Sequence, residues 1–458
     1  MKKLLALVFA CAALTARAQF QNTLSATDKI YGLSRFWQEV NYNFVYLNKV
    51  NRAQWDSAYR ALIASVPGTK NDYEYYRELQ RFCALLKDGH TNVYMPALKG
   101  PENFTSMFGE HRFFLENIGG KAIVVRTSFS KKEVLPVGSE VIEVNGLPTQ
   151  AYKERFVKPY ISASTDYVLE DWATSGLLAG FAGDSYKVVF RRPDGTLLPL
   201  DLTHARSAEQ AVFPGFDAAR ALLDFRWLPN KVAYVSLNSF SDPKIDSLFE
   251  ALLPELYTAK GLVIDLRYNG GGSTEIGTDI LRYLTADTAL YGARYASRLH
   301  VPAFKAWGRF TKPADTAGND WNRRALLSYQ DNYWHDFDYA PTPVRVQGKR
   351  IVVPTVLLTG HQTASAAEDF LIHADNQKHM TRVGEHTFGS TGQPYMFELP
   401  GGGSARICTK KDSYPDGREF VGYGIKPHVE VTRTVNDYLT KNDPALIKAQ
   451  ELLAKKLR

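Results

Sequence analysis

Between Thr27 and Leu47 the apolar residues Ile30, Leu33, Trp37, Val40 and Phe44 recur every three or four positions, and Trp55, Tyr59, Leu62 and Ile63 resume the spacing after a break. A period near 3.6 predicts two amphipathic helices. A third is predicted to open at Asn71. There Asn71 and Glu74 stand at capping-box spacing ahead of Tyr75, Leu79, Phe82 and Leu86, which supply one buried face. This helix runs into LKDGHTNVY, where Asp88 and Gly89 break the pattern and leave His90 just before a predicted strand from Asn92 to Met95. A histidine at such a junction can be aimed outward.

From about Gly109 to Arg206 the pattern changes to short strands: Ala122 to Val125, Glu140 to Val144, and Tyr186 to Arg192, which ends in the turn Pro193 to Gly195. From Val232 onward VAYVSL, LVIDL and VVPTVLL alternate with helical patterns such as Ser247 to Tyr257, which predicts an α/β layered core. The segment Pro302 to Lys349 holds Trp307, Trp321, Tyr333 and Trp334 without a clear period, and is expected to be an inserted lid or surface excursion.

Two places in the α/β region carry candidate chemistry. In LVIDLRYNGGG, Leu262 to Gly272, three glycines follow directly on an apolar run. Consecutive glycines let the main chain come close to a ligand, adopt φ > 0 and turn amides toward a developing negative charge. The reading gives an oxyanion hole made by the N–H of Gly271 or its neighbours Gly270 and Gly272, completed by the N–H of Ala366. No G-K-[ST] follows, so a phosphate cradle is excluded. Asp265 and Arg267 are expected to position this loop. In Val352 to Phe370 a second apolar run breaks at Gly360 and presents Ser365 ahead of a helix-compatible stretch. Ser365 with Glu368 also has capping-box spacing, so a plain helix cap is the competing reading.

These segments resemble the serine peptidases that include the C-terminal processing (tail-specific) and tricorn-like peptidases. The resemblance rests on DLRYNGGG, TASAAE, GEHTFG (Gly384 to Gly389) and GIKPHVEV (Gly424 to Val431), all in the expected order. It implies an α/β multidomain fold in four parts. These are a signal peptide (1–18), an N-terminal helical region (19–108), a PDZ-like β-rich domain (109–206) and a crotonase-like (ClpP-like) α/β core (207–458) with the inserted segment 302–349. The PDZ-like domain rests on LPVGSEVIEVNGLP, Leu135 to Pro148, and departs from its relatives by an insertion from Ala151 to Asp184.

The resemblance also implies Ser365 as nucleophile. Tail-specific peptidases take their general base from a lysine in TFGK, but here Ser390 stands in that place. The tricorn-like branch uses a histidine from before the PDZ domain, and His90 in KDGHT matches it. Its near-neutral intrinsic pKa suits proton shuttling. A glutamate near the C-terminal G-x-x-P motif would hold the histidine's other nitrogen, with Glu419 the candidate and Glu385 the alternative. Lys410 and Lys411, outside the motif, are expected on the solvated surface. The implied activity is endopeptidase cleavage of peptides or unfolded proteins through an acyl-enzyme, with no cofactor. The alternative is a non-catalytic peptide- or ligand-binding member of the same fold, and a weaker one is acyl transfer on a non-peptide ester or amide.

Lys2 and Lys3, an apolar run, and Ala16 and Ala18 in an A-x-A pattern predict cleavage before Gln19 and export to the periplasm or beyond. A lipoprotein reading through Cys11 is disfavoured by Phe9. No other stretch is apolar enough to span a bilayer. The net charge of +7 is spread along the chain, which excludes a nucleic-acid-binding surface. Cys83 and Cys408 sit among apolar neighbours and are expected as buried thiols rather than a disulfide. The ten histidines are scattered, with no metal-ligand spacing. Oligomeric state is not legible.

Overall fold

A computed structural model describes residues 20–216, 219–346 and 348–457. The predicted signal peptide lies outside the described residues. The architecture is mixed α/β and multidomain, with one β-rich domain.

The three predicted helices form, as Ala26–Asn43, Arg52–Ser65 and Asp72–Ala84. The first starts at a full capping box: Ser25 Oγ accepts from Asp28 N at 3.1 Å, and the Asp28 carboxylate accepts from Ser25 N at 3.2 Å. Asn71 caps the third by accepting from Glu74 N at 2.9 Å, but Glu74 turns to the Lys70 N–H instead of reciprocating. Trp55 stacks on Phe82 with ring centroids 3.8 Å apart. The apolar faces of these helices share one continuous core with the α/β region. That core and a strand pairing dock them. Asn92–Tyr94 lies antiparallel on Gly403–Cys408, with Val93 opposite Ala405.

The β-rich domain is a sheet in the order Leu197–Thr203, Ser185–Arg191, Glu140–Val144, Lys121–Ser128, His111–Ile118, Met107–Phe108, around its own core of Phe113, Val124, Val141, Val188 and Phe190. Most of the insertion is helical. Its longest helix, Asp166–Ser175, packs on the strand His111–Ile118.

The third part is a six-stranded sheet in the order Leu223–Leu228, Val232–Leu237, Gly261–Asp265, Thr355–Thr359, Met380–Gly384, Val429–Glu430. Only the first pair is antiparallel. The central runs are apolar throughout because both faces are covered. Leu262, Ile264 and Leu357 point into the core shared with the helices Lys244–Leu256, Thr274–Tyr283 and Ala366–His373. Val263, Val356, Leu358 and Val383 point the other way, onto the C-terminal helix Pro444–Lys456.

The segment Pro302 to Lys349 is more ordered than its aperiodic sequence suggests. It contains the helices Pro302–Gly308 and Asp320–Tyr329, with Trp307, Phe310 and Trp321 exposed. Its strand Trp334–Asp336 joins Arg294–Arg298, which pairs with Lys411–Ser413. Cys83 and Cys408 are buried free thiols. Among the described residues no helix is long and apolar enough to cross a membrane.

Candidate functional site

Three adjacent parallel strands, Gly261–Asp265, Thr355–Thr359 and Met380–Gly384, deliver their C-terminal ends to one place. Ligand sites of open α/β sheets form at such ends. The glycine loop, Ser365 and the Thr387 to Ser390 segment are the three loops that follow.

Ser365 precedes the helix Ala366–His373 with φ 56° and ψ −123°. A side chain in this left-handed region is strained, and such strain persists only where the surroundings hold it. Here they do. Thr363 Oγ1 donates to Leu266 O at 2.9 Å, Ala364 N to Asn269 O at 3.0 Å, and Ser365 N to the Glu368 carboxylate at 3.2 Å. Gly271, with φ 99°, lies directly against it: a Cβ there would sit 2.7 Å from Ser365 Cβ and 3.0 Å from Ala366 N. A Cβ on Gly272 would overlap the Phe240 backbone.

The amides divide unequally. Gly271 N–H donates to Asn269 Oδ1 at 2.9 Å, so the structure does not leave it for an incoming oxyanion. Asn269 is fully buried and also donates to Leu237 O at 3.0 Å, which makes it the clamp of the loop. The N–H groups of Gly270 and Ala366 have no acceptor among the described residues, and Ala366 opens the helix.

Glu368 is fully buried, and burial pushes its carboxyl up to about 8 against the pull of four donors. These are Thr387 Oγ1, Gly389 N at 2.9 Å, Ser390 N at 3.3 Å and Ser365 N. One carboxylate thus ties the Ser365 turn to the segment carrying Ser390. The predicted capping box is half made, and its acid serves two loops.

His90 is buried and turned inward, where the sequence suggested an outward junction residue. Its Nδ1 lies 2.7 Å from Ser390 Oγ, and its Nε2 has no protein partner among the described residues. Burial, with Arg406 and Lys410 adding repulsion, lowers its pKa to about 4, so the imidazole is neutral at ordinary pH. No hydrogen bond joins His90 to Ser365 among the described residues. Beneath His90 lies Asp88, fully enclosed and accepting from Thr91 Oγ1 at 2.6 Å and from Ser164 and Ser390 Oγ at 3.3 Å each. The insertion seats this group. Ser162 Oγ donates to Asp88 O at 2.8 Å, Gly89 N to Ser164 Oγ at 2.8 Å, and Tyr167 Oη to Thr387 O at 2.5 Å.

Residues 231–431, which contain the glycine loop, Ser365 and Ser390, match the model of Peptidase family S41. This part of the chain is therefore similar to the S41 serine peptidases. It is also 24% identical over 261 residues to the carboxyl-terminal-processing protease of Synechocystis sp. (strain ATCC 27184 / PCC 6803 / Kazusa), over 57% of this chain and 50% of that protein. The match therefore spans half the length of the curated relative. The structure of mature CPAF complexed with lactacystin superposes with a TM-score of 0.64 at 16% identity, covering 94% of this chain and 98% of that one. Mature CPAF superposes with a TM-score of 0.62 at 17% identity, over 94% and 96%. At these identities the likeness to the solved structures is one of fold.

The predicted residues are not all brought together. Ser365, Gly270, Gly271 and Ala366 converge on one turn, and His90 reaches the neighbouring loop. Glu419 does not hold His90. It pairs with Lys411 at 2.6 Å and Lys49 at 3.5 Å, and Lys411 holds its carboxyl below the usual range. Lys410 is not a solvated surface residue either, since its Nζ lies 2.8 Å from the buried Asp412. Asp265 bonds Arg267, which reaches Asp443 at 2.7 Å, so this pair braces the glycine loop. Sequence reasoning passed over Asn269 and Asp88. The first has a local signal, an Asn immediately before the glycines; the second has none beyond the break in the helical pattern.

Proposed function

We propose that the chain is an exported serine endopeptidase in which Ser365 attacks a peptide carbonyl and His90 Nε2 accepts its proton, then returns it to the leaving amine. The observation that carries this reading is the strained turn at Ser365, held against Gly271 at the start of a helix. A merely capping serine has no need of φ 56°. The N–H groups of Gly270 and Ala366, both without acceptors, are the donors for the tetrahedral oxyanion; one such donor is worth on the order of 3 kcal/mol of transition-state stabilisation. Loss of the family lysine is compensated by His90, whose free Nε2 and neutral state meet the requirement for a base. In a structure without substrate, catalytic hydrogen bonds are often unformed.

We read the β-rich domain as PDZ-like and the six-stranded region as the crotonase-like core. A peptide or unfolded polypeptide is the substrate, and the N-terminal segment directs export. Purified mature chain is expected to cleave an unfolded model protein at neutral pH, and Ser365→Ala and His90→Ala to be inactive. If nothing is cut across varied substrates, a peptide-binding role replaces the peptidase reading. If His90→Ala retains full activity, the base lies elsewhere.

A further inference from the structure

We propose that Asp88 and Ser390 are positioning residues for His90, forming a relay in which His90 Nδ1–H donates to Ser390 Oγ and the Ser390 hydroxyl donates to Asp88. This rests on the reading of His90 as base and fills the role expected of Glu419.

The argument is a count of protons. The carboxylate of Asp88 faces three hydroxyls, Thr91, Ser164 and Ser390. The first two also accept backbone amides, Cys408 N at 3.0 Å onto Thr91 Oγ1 and Gly89 N at 2.8 Å onto Ser164 Oγ, so each has its proton left for Asp88. The backbone N–H of His90 adds to these donors, and together they oppose the burial that raises the Asp88 pKa. A group surrounded by donors is an acceptor, which is the ionised form of an aspartate. Ser390 has one proton and two neighbours, Asp88 at 3.3 Å and His90 Nδ1 at 2.7 Å. Given to the anion, that proton leaves the serine oxygen to accept, so Nδ1 must carry a hydrogen. Nε2 is then the bare nitrogen.

The opposite assignment, Ser390 donating to Nδ1, would put the hydrogen on Nε2, where it blocks proton acceptance from Ser365. The relay thus selects the useful tautomer and places a negative charge behind the imidazolium that forms. No proton travels along it. Ser365 loses its proton to Nε2, and the charge on the ring is answered by Asp88 through the hydroxyl. Arg406, whose Nη2 donates to Gly89 O at 3.2 Å, and Lys410 are the cations facing the ring; both oppose the imidazolium, so a compensating anion is needed.

The deciding experiment reads the tautomer and the kinetics separately. In selectively 15N-His-labelled mature protein, with His90→Gln used to assign the signal, resting His90 is expected as the Nδ1–H tautomer. Ser390→Ala is expected to shift that signal toward Nε2–H and to lower kcat by roughly 10²-fold with KM unchanged, smaller than the ~10⁴ seen when a directly bonded triad aspartate is neutralised. Asp88→Asn is expected to do the same, and the double variant to lose no more than the worse single, because the two act as one unit. An Nε2–H tautomer in the resting wild type, or an unchanged kcat in Ser390→Ala, overturns the relay. Should Asp88→Asn fail to fold, Ser390→Ala decides alone. The tautomer is read without substrate, so an inactive wild type would refute the peptidase reading and not be mistaken for failure of the relay.

Discussion

The two halves of the candidate site are built by opposite means. The Ser365 half belongs to one module: strand ends, glycine loop and helix start follow neighbouring parallel strands and are fixed by bonds between adjacent loops such as Ala364 N to Asn269 O. The His90 half is assembled from four distant stretches: the 88–91 loop, the insertion at 162–167, the 387–390 loop and Arg406. Rigidity on the first side comes from backbone geometry. On the second it comes from side-chain hydrogen bonds between domains, each worth only about 1 kcal/mol net. Disturbing the first side should therefore be all-or-none, and disturbing the second graded.

The largest effect expected is that of Ser365→Ala, a loss of peptide cleavage of about 10⁴-fold or more with the fold intact by circular dichroism. Next comes Gly271→Ala. The new Cβ meets Ser365 Cβ at 2.7 Å in a backbone that favours glycine, so cleavage should fall by roughly 10²-fold and thermal stability with it, read by turnover and calorimetry. If Gly271→Ala left turnover unchanged, the supposed rigidity of the nucleophile half would be wrong. Tyr167→Phe removes the hydroxyl shared between Thr387 O and Tyr423 O, and is expected to lower kcat by about 5-fold with little change in melting temperature. The smallest effect concerns pH. His90 must be neutral to act, and burial with Arg406 and Lys410 holds its pKa near 4, so kcat/KM should fall as pH drops through about 4 rather than 6.5. Arg406→Gln relieves one repulsion and should move that acid limb upward; a downward shift would exclude Arg406 as a neighbour of the working base.

The same division governs what the sequence reveals. NGGG and Ser365 are legible because each follows an apolar run that stops at glycine and so announces itself, although the bonds that hold Ser365 come from the glycine loop up to 97 residues earlier. The helical faces and the two-sided strands follow from periodicity in the same way. His90 was found only through resemblance, and its surroundings were not found at all. Ser390 registered as a missing lysine, although its value lies in a hydroxyl 2.7 Å from His90. Asp88 registered as a helix breaker. Glu419 was placed by distance from a motif, but tertiary packing gave it to Lys411 and Lys49. Lys410 has an ordinary surface composition around it and is nevertheless drawn inward by Asp412. None of these pairings has a periodic signature, since each joins segments whose separation is set by the fold.

The pairing of Asn92–Tyr94 with Gly403–Cys408 has a consequence for the order of synthesis. The strand that anchors the His90 loop finds its partner only after almost the whole polypeptide has been made. A growing or truncated chain ending before Gly403 would contain both Ser365 and His90 yet leave the strand Asn92–Tyr94, which follows His90, without its partner.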